Sequence, residues 1–197
     1  MSNLNPAEPA ADTVRSARLR SLLRYWVEKA TGGTMPFRRQ IDPIEIPSIL
    51  PIALLADVTP SGARMRLLGS EATGAYGSET RNCLIADIQL GEFTVVWQEA
   101  FSRVIQSVGP AYAMGTYRRG AELCRIETVL TPLTADGSSI SQIFGGLLIR
   151  PIARDAAIEQ NRVGDLVAPI AGQTTGGADG RRVDAATSDR RLSIRLR

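Results

Sequence analysis

Apolar residues recur at every third or fourth position in two segments of the chain. Leu19, Leu22, Leu23, Trp26, Val27 and Ala30 form one stripe; Phe93, Val96, Trp97, Ala100, Phe101, Val104, Ile105 and Val108 form a second. That period predicts two amphipathic helices. Asp12 is placed to cap the first and Gly32-Gly33 to stop it, while Gly109-Pro110 ends the second. Between the stripes, prolines at 36, 43, 47 and 51 exclude a long regular helix. Asp42-Pro43 before Ile44-Glu45-Ile46 predicts a single capped turn. "IALLADV" and "ARMRLLG" read as strands joined across Thr59-Pro60-Ser61-Gly62, and Ser70 to Tyr76 reads as a short helix closed near Gly77. After the second long helix, "AYAMGTYR", "LCRIETVLTPL" and "SISQIFGGLLIR" read as three more strands, with breaks at Arg119-Gly120 and Ala135-Asp136-Gly137.

Hairpins separated by helices predict an α+β domain, with one five-stranded antiparallel sheet carrying helices on one face. The N-terminal helix is additional to that layer. The predicted organisation is a flexible segment over 1–12, the N-terminal helix over 13–32, the main domain over 33–153 and a mostly disordered tail over 154–197. A short helix around Ala153 to Asn161 is compatible with the start of that tail.

Composition narrows the chemistry. Among 197 residues there is no histidine, which removes Ser-His and Cys-His catalysis, a histidine haem ligand and His-containing zinc sites. The two cysteines, Cys83 and Cys124, form no CxxC and no metal spacing. Glu71, Asp87, Glu122 and Glu127 fall on different elements, so no carboxylate pair for acid–base work is evident. The expected protein is not an enzyme and carries no metal and no cofactor. A net charge of +3 with acids and bases interspersed gives no nucleic-acid footprint. No apolar run is long enough for stable membrane insertion, and the N-terminus lacks secretory character, so the expected location is cytoplasmic.

Trp26 in an N-terminal helix precedes Pro36, Arg38, Asp42, Pro43, Leu50 and Pro51; Gly69 in "RMRLLGSE" then leads to Tyr76-Gly77. In this order and over about residues 20 to 150, the chain resembles the small single-domain PAS proteins typical of alphaproteobacteria. The resemblance implies a PAS-like sheet, a pocket between sheet and helices, and a role in sensing or protein interaction. Output is expected through a signalling partner of unstated identity, and the stripe of the first helix makes a homodimer an expectation.

Within that resemblance, Asn82-Cys83 invites comparison with the cysteine loop of flavin-binding relatives. Here Leu84-Ile85-Ala86 replaces their Arg-Phe-Leu-Gln type continuation, and Leu148 stands where the final strand would need a glutamine. Cys83 is therefore read as turn or core packing. Trp97 and Phe101 are core residues on one reading; on the other they line a ligand pocket with Tyr112, Met114, Phe144 and Leu148, with Gly145-Gly146 leaving room. Leu19, Leu22, Leu23, Trp26 and Val27 either form a dimer interface or cover the outer face of the sheet. The last segment, "RRLSIRLR", is expected to be a docking tail or a solvated tail.

Overall fold

The computed structural model describes residues 13–30, 35–77, 79–152 and, for the backbone, 166–169. The expected flexible N-terminus, the helix around 153–161 and the docking tail lie outside the described residues.

Helix α1 spans Ala17–Lys29. It starts later than a cap at Asp12 implies, because the chain before it is already engaged with the sheet. Val14 is fully buried, and the Ser16 N–H donates to Glu127 Oε2 at 3.2 Å. Short 3₁₀ turns follow at Arg38–Gln40, Pro43–Glu45 and Leu50–Ile52. In the second of these Asp42 caps as its sequence predicts, its Oδ1 accepting from the Ile44 N–H at 2.9 Å with Pro43 in the first turn.

Strands β1 (Ala53–Thr59) and β2 (Gly62–Leu68) form the first hairpin. Helix α2 covers Ser70–Tyr76, and Gly77 closes it at a φ of 89°. A 3₁₀ turn at Gly91–Phe93 leads into α3 (Thr94–Ser107). Strands β3 (Ala111–Arg119), β4 (Glu122–Thr134) and β5 (Ile140–Pro151) complete the main sheet. Residues 166–169 were expected in a disordered tail, but Leu166–Pro169 pairs with β3 as β6. The antiparallel sheet therefore has six strands, in the order β2-β1-β5-β4-β3-β6. The edge of β3 left open by a five-stranded reading has backbone groups to satisfy, and β6 supplies them. Among the described residues, no helix is long and apolar enough to cross a membrane.

The sheet divides the interior into two layers. Side chains alternate along a strand, so β4 sends Cys124, Ile126 and Leu130 to one face and Val129 and Leu133 to the other. The first face is covered by α2, α3 and the turns before α3, with Phe93, Trp97, Ala100 and Val104 fully buried. The second face is covered by α1, through Leu19, Leu22, Leu23 and Trp26. The class read from the pattern, α+β with an antiparallel sheet and helices, is the one observed.

Helix α3 ends differently from its sequence expectation. The left-handed residue is Val108, at φ 52° and ψ 33°, rather than Gly109. A β-branched residue is strained there. Val108 is also 53% exposed, so it contributes little burial in return. Replacing Val108 by glycine is expected to raise stability by about 1 kcal/mol, measured by urea denaturation; an unchanged or lower midpoint would show that the strain is not there.

Candidate functional site

The six residues assigned to one pocket lie on opposite sides of the sheet. Trp97 and Phe101 sit in the inner layer, their ring centroids 4.9 Å apart in an edge-to-face arrangement. Tyr112, Met114, Phe144 and Leu148 belong to the outer layer under α1. The reason is strand phase: Tyr112 and Met114 share a parity on β3, opposite in face to Ala111 and Ala113, which meet the α3 side. The sheet thus separates the two groups, and they line no common cavity.

In the inner layer Phe93, Trp97, Ala100 and Val104 are fully buried and Phe101 is 3% exposed. Trp97 is fully buried, yet among the described residues its Nε1–H has no hydrogen-bond acceptor. An orphaned buried donor of this kind costs about 1–3 kcal/mol.

The outer layer holds the stripe that had been a dimer-interface candidate. Leu19 and Leu22 are fully buried, Leu23 is 1% exposed and Trp26 is 9% exposed, all within a single chain; Val27 packs partly against the same layer. Within one chain, this stripe covers the outer face of the sheet. Polar contacts fix α1 in place at several points along its length. The Trp26 Nε1–H donates to the Pro132 carbonyl at 2.9 Å. Arg18 donates to the Ser48 carbonyl at 3.1 and 3.0 Å and pairs with Glu71 at 2.6 Å. Near the far end, the Tyr25 hydroxyl donates to Glu45 Oε2 at 2.7 Å and accepts from the Asp42 N–H at 2.8 Å. Lys29 completes this group by pairing with Glu45 at 2.7 Å. Hydrogen bonds from Lys29 and Tyr25 hold the Glu45 carboxyl below its ordinary range.

Glu127 is the residue that the sequence reading passed over as a scattered acid. It is only 7% exposed on the outer face of β4, where it accepts from the Ser16 N–H and from the Tyr112 hydroxyl, each at 3.2 Å. Its position ahead of α1 suits a carboxylate, since the first N–H groups of a helix carry partial positive charge. The missed signal was phase: Glu127 shares the parity of the apolar Val129 and Leu133, so it had to fall on a buried face.

Burial, reinforced by the Glu127 charge, pushes the Tyr112 hydroxyl up to about 12. Its folded value lies above its unfolded one, so the unfolded chain gives up this proton first as pH rises. Stability from this group is intact below about pH 10 and is lost on the way to about pH 12. The expected result is a shallower alkaline fall in denaturation midpoint for Tyr112→Phe than for the native chain. Superimposable alkaline profiles would remove Tyr112 as the cause.

Gly145-Gly146 does not open space for a ligand. A Cβ on Gly145 would strike the Val129 carbonyl oxygen of the neighbouring strand, and one on Gly146 would meet Leu19 Cδ2 at 2.7 Å. Strand approach and helix docking take up the space. Cys124 is fully buried, its thiol pushed up in pKa by burial. Cys83 is half-buried against the inner layer, in a segment whose backbone bonds to Met65 through the Asn82 N–H at 2.7 Å and the Cys83 carbonyl at 2.9 Å.

No curated protein matches the chain in sequence. Among solved structures, the chain is similar to a light-oxygen-voltage domain studied with a flavin analogue, at 10% identity and a TM-score of 0.43, covering 59% of this chain and 87% of that one. It is similar to the PAS domain of Bordetella pertussis BvgS, at 13% identity and a TM-score of 0.41, covering 71% and 93%. The Rhodobacter sphaeroides LOV protein matches at 13% identity and a TM-score of 0.41, covering 60% and 73%. At sequence level, residues 14–148 match the PAS domain. That match begins where Val14 is buried and continues into β5, so it takes in α1 and both layers; the chain belongs to the PAS domain family.

Proposed function

We propose that this PAS domain is a cytoplasmic regulatory module that acts by binding a signalling protein, without catalysis of its own. The observation that carries this reading is the burial of aromatic side chains between α3 and the sheet. Phe93 and Trp97 are fully buried and Phe101 is 3% exposed, so the layer between α3 and the sheet is occupied by the protein's own rings. Rings buried to this degree favour surface contacts as the carriers of the output. A homodimer belongs to the same proposal, but it would use a surface other than the stripe of α1, which is covered within the chain.

Native mass spectrometry of the purified full chain, combined with crosslinking in the cells that make it, tests this. The expected outcome is a bare polypeptide mass and one reproducible crosslinked signalling protein. A small molecule retained at one per chain, whose removal lowers the melting temperature, would overturn it in favour of a ligand receptor. One observation favours that second reading: the unpaired Nε1–H of Trp97 could donate to an acceptor on a small molecule held in the inner layer.

A further inference from the structure

A shallow groove of about 540 Å³ lies beside the β1–β2 hairpin, lined by Arg38, Leu55, Arg66, Leu67, Arg81 and Asn82. Three separate elements bring its arginines together. Arg38 comes from the first 3₁₀ turn and Arg66 from β2. Arg81 comes from the segment that bonds to the β2 edge through Asn82. The pairing of β1 with β2 shifts register between Leu55 and Ala56, so Met65 opposes Ala56, Leu67 opposes Leu55, and Arg66 is the extra residue. Such a bulge re-aims side chains. Met65 and Leu68 both pack into the inner layer, which leaves Arg66 and Leu67 together on the opposite side. Leu67 is 46% exposed, and its register partner Leu55 is only partly buried.

The three arginines outnumber the nearby carboxylates Asp57 and Glu79, the latter accepting from the Arg81 N–H at 2.9 Å. Among the described residues, Asp57 is the carboxylate that ion-pairs with any of the three arginines, reaching Arg66 at 3.5 Å. The other Asp57 oxygen accepts from Gln142 at 2.6 Å. Arg38 spends one donor on the Ile41 carbonyl at 3.2 Å. Arg81 is exposed.

We propose that this groove docks an acidic segment of a partner protein, with carboxylates flanking a leucine- or isoleucine-like side chain. This deepens the reading of the chain as an interaction module and rests on it. Planar guanidiniums suit carboxylates, and an apolar side chain between them covers Leu55 and Leu67. A simple anion would leave that apolar floor wet, and the groove is open, so it offers no enclosed cradle for one.

The test is selection of random dodecapeptides on the full-length chain, followed by affinity measurement with the synthesised winner. Winners are expected to carry Asp or Glu on both sides of an aliphatic residue. Their affinity should fall about tenfold or more in Arg38→Gln/Arg81→Glu, and should weaken as salt rises from about 0.05 to about 0.5 M. Leu67→Ser should also weaken binding several-fold, with the melting temperature of each variant held as a folding control. Winners without acidic residues, failure to recover any winner, or equal affinity for the arginine variant would overturn the groove assignment. So would displacement of the peptide by inorganic phosphate alone, which would make this a simple anion site. Binding that survives the arginine changes leaves the interaction reading standing. A retained small molecule in native mass spectrometry strikes that reading instead.

Discussion

Leu23→Glu is expected to lower the melting temperature by about 10 °C or more while leaving the oligomeric mass unchanged. Leu23 is 1% exposed between α1 and the sheet, in the layer that also holds Trp26, Tyr112 and Phe144. Removing a buried leucine costs about 2–5 kcal/mol. A carboxylate in its place must either take up a proton or lift α1 off the sheet, and both add to the loss. For a chain of this size each kcal/mol corresponds to about 2–4 °C. Arg24 is the control: it is exposed on the opposite side of the same helix, and Arg24→Glu should change stability by no more than about 0.5 kcal/mol. A Leu23→Glu chain with native melting temperature but halved mass would reinstate the stripe as a dimer interface.

Gly145→Ala is expected to destabilise by about 3 kcal/mol or more, or to prevent folding, whereas Gly146→Ala should cost about 1 kcal/mol. The two glycines are adjacent, and both are paired into the centre of the sheet. What differs is the obstacle. A Cβ on Gly145 meets backbone: the Val129 carbonyl oxygen, and Leu130 Cα at 3.3 Å. Those atoms are fixed by the β4–β5 ladder, so relief would require breaking strand pairing. A Cβ on Gly146 meets Leu19 Cδ2 at 2.7 Å and Leu22 Cδ1 at 3.1 Å, the far ends of two flexible side chains. They can rotate or α1 can shift slightly. Urea denaturation of both variants decides the matter; equal costs would mean that strand approach is not what demands glycine at 145.

The chain's periodicity was enough to locate its two long helices. The three- and four-residue spacing of Phe93, Val96, Trp97, Ala100, Phe101 and Val104 marks one helix face, and all six are buried. Turns were legible where chemistry demands an unusual backbone: Gly62, Gly120 and Gly137 all have positive φ, at 114°, 59° and 87°. Asp42-Pro43 was legible for the same local reason. The order of these signals, with "YWVEK" ahead of the proline-rich run, was also sufficient to suggest the family.

What a residue faces is a different kind of information. Tyr112 and Trp97 look equally core-like in sequence, but the sheet stands between them. The parity of Glu127, which was passed over, implies burial, but not that its partner would be the Ser16 N–H, 111 residues away. Likewise, nothing local to Arg38, Arg66 or Arg81 joins them, and Asp57 meets Gln142 only because β1 pairs with β5. β6 was hidden for a related reason: a four-residue strand has too little pattern of its own and is defined by the open edge of β3. Element type is set by neighbours within one or two turns, where side-chain sterics and periodicity act, so the sequence by itself determined the helices, the hairpins and the α+β class. Contacts across the sheet depend on strand order and register, which are fixed when distant apolar faces are buried together. Only the tertiary structure could therefore decide that α1 covers its own sheet, that the candidate pocket is split in two, and that three arginines share a groove.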